Sequence, residues 1–330
     1  LARLLIFSRD RHNTKKHTKM NNTHTTVAAV RAALSNVQPT TNNAAEIMRT
    51  AGAVLKAHGH AAPSSLGGVN ASAKIAKGAA LNIHTFITYL APHTASGAVN
   101  VCPHASPGCI AACLNGSGRA SFDAKIPAAR VARTLIYAAS RPHFSAVLFA
   151  EIERARRGAE RKGATFAVRI NGTSDISPRA FKVAGVDVLS AFPEVSFYDY
   201  TKVWGRARQT WPDNYTLTFS WTDGRTWDDA RRDVLEAGYG LAVPFADLNA
   251  AGRVKVARAA TLPTTYGAVD GDGRLLWEAP VFDGDKTDAR YLDRVEGAPA
   301  SGGYIVGLRA KRSTVEGERT ALASGFFVAV

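Results

Sequence analysis

An α/β fold built on a parallel sheet is what this sequence predicts, and three observations predict it. From residue 165 onward, strand-like runs alternate with helical patterns, which is how successive βαβ units read. Ahead of that alternation lies Ile83-His84-Thr85-Phe86-Ile87-Thr88-Tyr89-Leu90, a β-branched and aromatic run that supplies an earlier strand. The chain has 330 residues at 46% hydrophobic and 21% charged, enough to bury a sizeable core as one large domain or two.

In order along the chain, residues 1–78 form a basic N-terminal extension and a peripheral helical segment. Residues 79–330 form the α/β domain with its cysteine loop. Within the first part, residues 1–19 carry Arg3, Arg9, Arg11, Lys15, Lys16 and Lys19 against Asp10 alone. We expect Met20 to be the true start and the preceding stretch to be upstream read-through; the rival reading is a basic arm for nucleic acid. An Ala-rich helix is expected near 43–57, then a Gly/Ser/Pro loop over 58–69. After the strand at 83–90 and the cysteine loop, helices are expected at 126–140 and 145–162, the second ended by Gly163.

The alternation then runs as follows. A buried strand covers 165–170, a short helix 177–183, a strand 195–200 and a helix 204–211. Next come a strand at 215–220, a helix at 226–237 closed by Gly238, and a strand at 240–245. Asp270-Gly271-Asp272-Gly273 reads as a hairpin turn, and residues 304–308 as a last strand within a β-containing C-terminal extension. Trp204, Trp211, Trp221 and Trp227 read as core or pocket walls, with a base-stacking platform as the alternative.

Composition removes several function classes. No apolar run of 18 or more residues is present, so nothing reads as a membrane span. Three cysteines are too few for a disulfide scaffold and point to a reducing cytoplasm. The formal net charge of +14 favours anionic partners, with nucleic acid or a nucleotide foremost.

In parallel α/β sheets the site lies at the carboxyl ends of the strands. Asp175, Asp199, Asp223 and Asp247 recur every 24 residues near those ends, which we read as the repeat of the architecture. Asp175 and Asp199 are the candidate catalytic acids. Asn171, Ser174, Asp175 and Ser220 are the candidate cofactor-binding residues, Asn171 to Asp175 being a dense polar cluster directly after a strand. Some of these loops need Ser, Thr and Asp only as helix caps, which is the reading for Ser177, Asp223 and Thr226. Asp283, Asp285, Asp288 and Arg290 could bind a divalent ion or order a polar substrate, although the distal Glu of a calcium loop is missing.

The sharpest signal is Cys102-Pro-His-Ala-Ser-Pro-Gly-Cys109-Ile-Ala-Ala-Cys113, which holds every cysteine of the chain. Pro103, Pro107 and Gly108 supply turns that can bring the thiols together. Several chemistries fit. A 4Fe–4S cluster on Cys102, Cys109 and Cys113 would leave one iron open, whereas structural zinc would want a fourth ligand such as His104. A redox disulfide and inert thiols are the remaining readings.

A strand, a three-cysteine loop, a helix and then a series of βα units resembles the radical S-adenosylmethionine enzymes. That resemblance implies a partial, six-stranded βα barrel, a 4Fe–4S cluster on Cys102, Cys109 and Cys113, and S-adenosylmethionine bound at the open iron and the strand tips. This chain departs from the family pattern: its spacing is C-x6-C-x3-C in place of C-x3-C-x2-C. It also has Asn171-Gly172-Thr173-Ser174-Asp175 where that family commonly has Gly-Gly-Glu.

A second set of motifs is similar to the phage gene product 88-like proteins. It comprises Cys102-Pro103 through Cys109 and Cys113-Leu114, Arg169-Ile170-Asn171-Gly172, and Tyr198-Asp199-Tyr200-Thr201-Lys202. Asp283-Gly284-Asp285-Lys286-Thr287-Asp288-Ala289-Arg290 and Ile305-Val306-Gly307-Leu308-Arg309-Ala310-Lys311 complete it. The resemblance spans about residues 80–315 and implies a phage or prophage origin, with the host cytoplasm as location. Two function classes follow: an iron–sulfur enzyme of radical S-adenosylmethionine type acting on a nucleotide or nucleic acid, or a zinc-stapled nucleic-acid-binding phage protein.

Overall fold

Side chains alternate between the two faces of a strand, and here that alternation produces two unlike faces that organise the molecule. The computed structural model describes residues 22–330 except 117, 256–259, 270, 271, 273 and 312. The expected start at Met20, the basic stretch before it and most of the turn expected at 270–273 lie outside the described residues.

Helices α1 (22–34) and α2 (Ala44–Ala57) come first. In α2, Ile47, Met48, Ala51 and Leu55 form one buried stripe, and Gly59 at φ 77° carries the chain out of the helix. Strand β1 (Gly67–Val69) is antiparallel to β2 (Ile83–Thr88), with the short helix α3 (Ala73–Ala76) between them. Then follow α4 (Pro107–Ala111), α5 (Lys125–Ala139) and α6 (Arg141–Glu160). Pro142 sits in the first turn of α6, where no N–H is missed, and Gly163 at φ 62° follows its end.

The alternating part comprises β3 (Thr165–Arg169), a small hairpin of β4 (Lys182–Val183) and β5 (Val186–Asp187), α7 (Val188–Ala191), β6 (Ser196–Thr201) and β7 (Tyr215–Ser220). It continues through α8 (Trp227–Ala230), β8 (Gly240–Ala246), β9 (Thr265–Val269) and β10 (Leu275–Asp283). Strand β11 (Tyr304–Arg309), α9 (Val315–Ala323) and β12 (Val328–Ala329) end the chain.

The main sheet has the order β1-β2-β3-β6-β7-β8-β11-β10-β9, with β12 also paired to β8. Strands β2 to β10 along this path are parallel, and β1 and β9 are antiparallel edges. The class is therefore mixed α/β with a largely parallel sheet, as the alternation predicts. Among the described residues the hydrogen-bonded path does not close on itself. Its two ends are nonetheless tied together. Lys74, just before β2, lies 3.6 Å from Asp285 and 3.5 Å from Asp288, both just beyond β10.

On one face, Phe86, Val168, Phe197, Phe219 and Val243 share a core with Leu135, Phe144, Val147 and Ile152 of α5 and α6. Helices α1 and α2 contribute Val30, Leu34, Ile47 and Leu55 to the same core. The opposite face is crossed by the chain beyond β10: Ile83, Ala167 and Tyr198 pack with Ala289 and Leu292.

Several expected elements differ. The helix expected at 177–183 is a single 3₁₀ turn followed by the β4–β5 hairpin, because Ala184 and Gly185 take φ 49° and 83°, the backbone of a tight hairpin turn. The helix expected at 204–211 is a 3₁₀ turn over Trp204–Arg208. The one expected at 226–237 is α8 followed by a wider π turn, Arg231–Leu235, entered through a capping box between Thr226 and Asp229. The loop expected at 58–69 contains β1. Trp204 and Trp221 are buried, as expected of core residues, and Trp221 stacks on Trp227 at 3.7 Å. Among the described residues no helix is long and apolar enough to cross a membrane.

Candidate functional site

The cysteine loop leaves the carboxyl end of β2 and lies over the loops that follow β3 and β7. Ser106 caps α4 by accepting the Cys109 N–H at 3.3 Å, and Pro107 begins the helix. The Gly108 N–H donates to Asp223 Oδ2 at 3.0 Å, and a Cβ on Gly108 would collide with Ser324, Phe326 and Asp223. Only glycine seats α4 so closely between the β7 loop and the chain terminus. At the other end of the loop, the Cys102 thiol donates to the Thr173 carbonyl at 3.4 Å, and the Asp175 N–H to the Val101 carbonyl at 2.8 Å.

Burial pushes the Cys102 thiol up to about 12, and the nearby Asp175, Cys113 and Cys109 add to the effect. Burial also raises Cys113, opposed by a backbone contact at Asn115 and by the charges of Arg130 and Lys202. Arg130 is held by Asn115 at 2.7 Å and lies 5.0 Å over the Tyr89 ring. The Tyr89 ring in turn fits against Gly172, where a Cβ would come within 2.7 Å of it. Lys202 donates to the Trp221 carbonyl at 3.1 Å.

The sequence-predicted polar residues are brought together mainly with one another. Asp199 is 1% exposed, lies inside β6 on the helix-covered face, and accepts the Asn171 N–H and the Asn171 Nδ2–H, both at 2.9 Å. Burial lifts its carboxyl to about 7 against those two bonds. The Ser174 hydroxyl donates to Asn171 Oδ1 at 2.7 Å. Asp175 accepts from Thr201, from the Lys202 N–H and from Arg206, each at 2.8 Å. These contacts brace the loop under Cys102. Ser220 ends β7 on the other face, and its carbonyl accepts the Trp204 indole at 3.2 Å. Of the recurring acids, Asp247 serves a loop by accepting Thr261 and pairing with Lys255.

Alternation places Arg169, Tyr198 and Tyr200 on the face opposite the helices. Arg169 meets Asp288 at 2.7 Å and lies 4.6 Å over the Tyr200 ring. Burial works against the Arg169 charge, but Asp288 and the neighbouring tyrosines outweigh it and raise its pKa. Burial likewise disfavours the Asp288 carboxylate, and Arg169, Lys74 and Arg290 outweigh it, holding the group below its ordinary range. Arg290 is fully buried, donates to the Thr287 carbonyl at 2.6 Å and lies 3.4 Å from Asp293. Asp283 and Asp285 pair with Arg309. The acidic run at 283–290 is thus neutralised by cations from α3, β3 and β11.

The donor chemistry of the loop suits a soft metal: three thiols, none in a disulfide, with Cys109 and Cys113 near enough to Cys102 for their negative charge to disfavour its thiolate. The sulfurs are not gathered into one coordination sphere, since among the described residues no three His, Cys, Asp or Glu side chains are grouped to hold an ion. His104 is exposed and joins no such group. The sequence motif at 198–202 includes Tyr200 and Lys202, but sequence reasoning gave no site role to either, nor to Tyr89 and Arg130 beside the thiols or Lys74 on the opposite face. One signal was available: Arg169 closes an otherwise apolar run, Phe166-Ala167-Val168, where a charge requires a buried partner.

Fold and site together define an α/β protein of parallel-sheet type with a cysteine-bearing mouth at its strand tips. The chain belongs to the gene product 88 family, whose model matches residues 64–324. No curated protein and no solved structure matches it.

Proposed function

We propose that this gene product 88 protein is an iron–sulfur enzyme of radical S-adenosylmethionine type, acting on a nucleotide or nucleic acid. The observation that carries the reading is the position of the thiols. Cys102, Cys109 and Cys113 ride on the loop after the first parallel strand and face the carboxyl ends of its neighbours, where such sheets bind ligands. When bound, a cluster on these three thiolates would supply an open iron for the amine and carboxylate of S-adenosylmethionine and an electron for reductive cleavage.

The chain's own residues have separable roles. Lys202 and Arg130 offset thiolate charge. Asn171, Ser174 and Asp199 hold the loop that receives Cys102, and Asp175 fixes Arg206 and the Lys202 backbone. The net charge of +14 favours a phosphate-bearing substrate.

The test is anaerobic reconstitution with iron and sulfide, followed by metal analysis and assay of 5′-deoxyadenosine release. About four irons per wild-type chain, lost in Cys109→Ser, together with 5′-deoxyadenosine formation, is the expected result. Zinc retained in place of iron would favour the stapled nucleic-acid-binding reading. Absence of any thiol-dependent metal would overturn both.

A further inference from the structure

Buried polar atoms almost always find a partner, so a concentration of those that do not is informative. Among the described residues, such atoms gather on the sheet face opposite the helices: the donors Arg169 Nε, Tyr200 Oη, Arg290 Nε and Nη1, and Tyr291 Oη, beside the acceptors Asp288 Oδ1 and Asp293 Oδ1. The Arg290 side chain is 0% exposed, and its remaining nitrogen is used by Thr287 and Asp293. The Tyr200 ring lies under Arg169, and Tyr200 packs against the cluster of Phe282, over whose ring Arg290 lies at 5.9 Å. Lys74 borders the same space, 3.5 Å from Asp288.

Hydrogen-bond capacity points the same way. Two guanidinium groups and one ammonium face Asp285, Asp288 and Asp293. Among the unpartnered buried atoms of this cluster, five are N–H or O–H donors and two are carboxylate oxygens, so donors outnumber acceptors. A water molecule satisfies only one or two such donors. An oxyanion with several acceptor oxygens can answer them together, and a guanidinium fork matches the geometry of phosphate oxygens.

We propose that Arg169, Tyr200 and Arg290 form a binding site for a phosphate group on the helix-free face of the sheet, bordered by Lys74. The site is separate from the thiols and stands whether or not a metal binds them. Tyr200 and Arg290 donate from β6 and from the segment beyond β10, so ligand binding bridges the sheet and the chain that crosses it.

Titration of metal-free, full-length protein with inorganic phosphate and with adenosine monophosphate, at ionic strength matched by chloride, tests this. Saturable binding is expected, weakened about tenfold in Tyr200→Phe, which removes a single hydroxyl donor. Arg290→Lys, which keeps the charge and loses the fork, should weaken it at least as much. Tighter binding of the nucleotide would mark a nucleotide as the source of the phosphate, and equal binding would mark the free anion. No saturable binding of either probe, or undiminished binding in folded Tyr200→Phe, would overturn the proposal.

Discussion

The two faces of one sheet are built from adjacent residues and obey different chemistry. Val168 and Phe197 enter an apolar core shared with α5 and α6, while Arg169 and Tyr198, one residue on, enter a network of charge and phenol. The helix-covered face holds the fold by area removed from water. The opposite face holds charges that are tolerable only in company. Stability and ligand chemistry are thereby separated across the thickness of a single β-strand.

The comparison breaks if both faces respond alike to truncation. Phe219→Ala, at a fully buried position of the apolar core, should cost about 3–5 kcal/mol in chemical denaturation, the largest effect expected here. Asp288→Asn keeps the shape of its side chain but leaves Arg169 without its carboxylate and Lys74 with Asp285 alone. It should cost about 3 kcal/mol, and the further change Arg169→Met should restore part of that loss. No comparable rescue is available at Phe219, so a rescue there would erase the distinction.

Proton linkage sharpens the contrast, because a carboxyl on each face titrates in the opposite sense. Asp199 is raised from 3.8 to about 7 by burial, so its contribution to stability is present below 3.8 and is lost as pH rises toward 7. Asp288 is lowered from 3.8, so its contribution is present above 3.8 and is lost as pH falls through its folded value. Denaturation curves between pH 3 and 8 should therefore show Asp199→Asn gaining on the wild type as pH rises, and Asp288→Asn gaining as it falls. Parallel curves would refute the assignment. The smallest effect belongs to Tyr200→Phe without ligand. Removing a buried hydroxyl that has no partner should change stability by less than about 1 kcal/mol, or improve it slightly.

The helix-covered face was legible in the sequence, and the opposite one only in fragments. Runs such as Phe166-Ala167-Val168 and Thr216-Leu217-Thr218-Phe219 announce strands through residue type alone. Strand β10 escaped because Pro280 interrupts it, and the structure explains the exception. Its pairing with β9 runs from Leu275 to Pro280, and pairing with β11 begins at Val281, so the missing N–H falls where the strand changes partners. The hairpin at 182–187 escaped because Ala184 occupies a positive φ that glycine or asparagine usually marks. At the site, the cysteines were visible as a cluster, and the polar residues after β3 were visible as a group. Their use was not. Asn171, Ser174 and Asp199 lie at strand-end spacings that suit a ligand, yet tertiary contacts commit their side chains to one another. The Arg169–Asp288 pair spans 119 residues, a separation that local spacing does not reveal.

The tie between the sheet's two ends bears on when the phosphate site comes into being during folding. Lys77 reaches the Asp285 carbonyl across 208 residues of sequence, and Lys74 joins the same loop. Contacts that distant carry the heaviest loop-closure penalty and slow the search for the native state. The helices and neighbouring parallel strands can assemble through nearer contacts, whereas Arg290 meets Tyr200 only after the chain beyond β10 has folded back across the sheet. The anion site thus waits on the segment beyond β10, and a nascent chain stalled before residue 290 would lack both that site and the Ser324 and Phe326 contacts against which α4 and its Cys109 are seated.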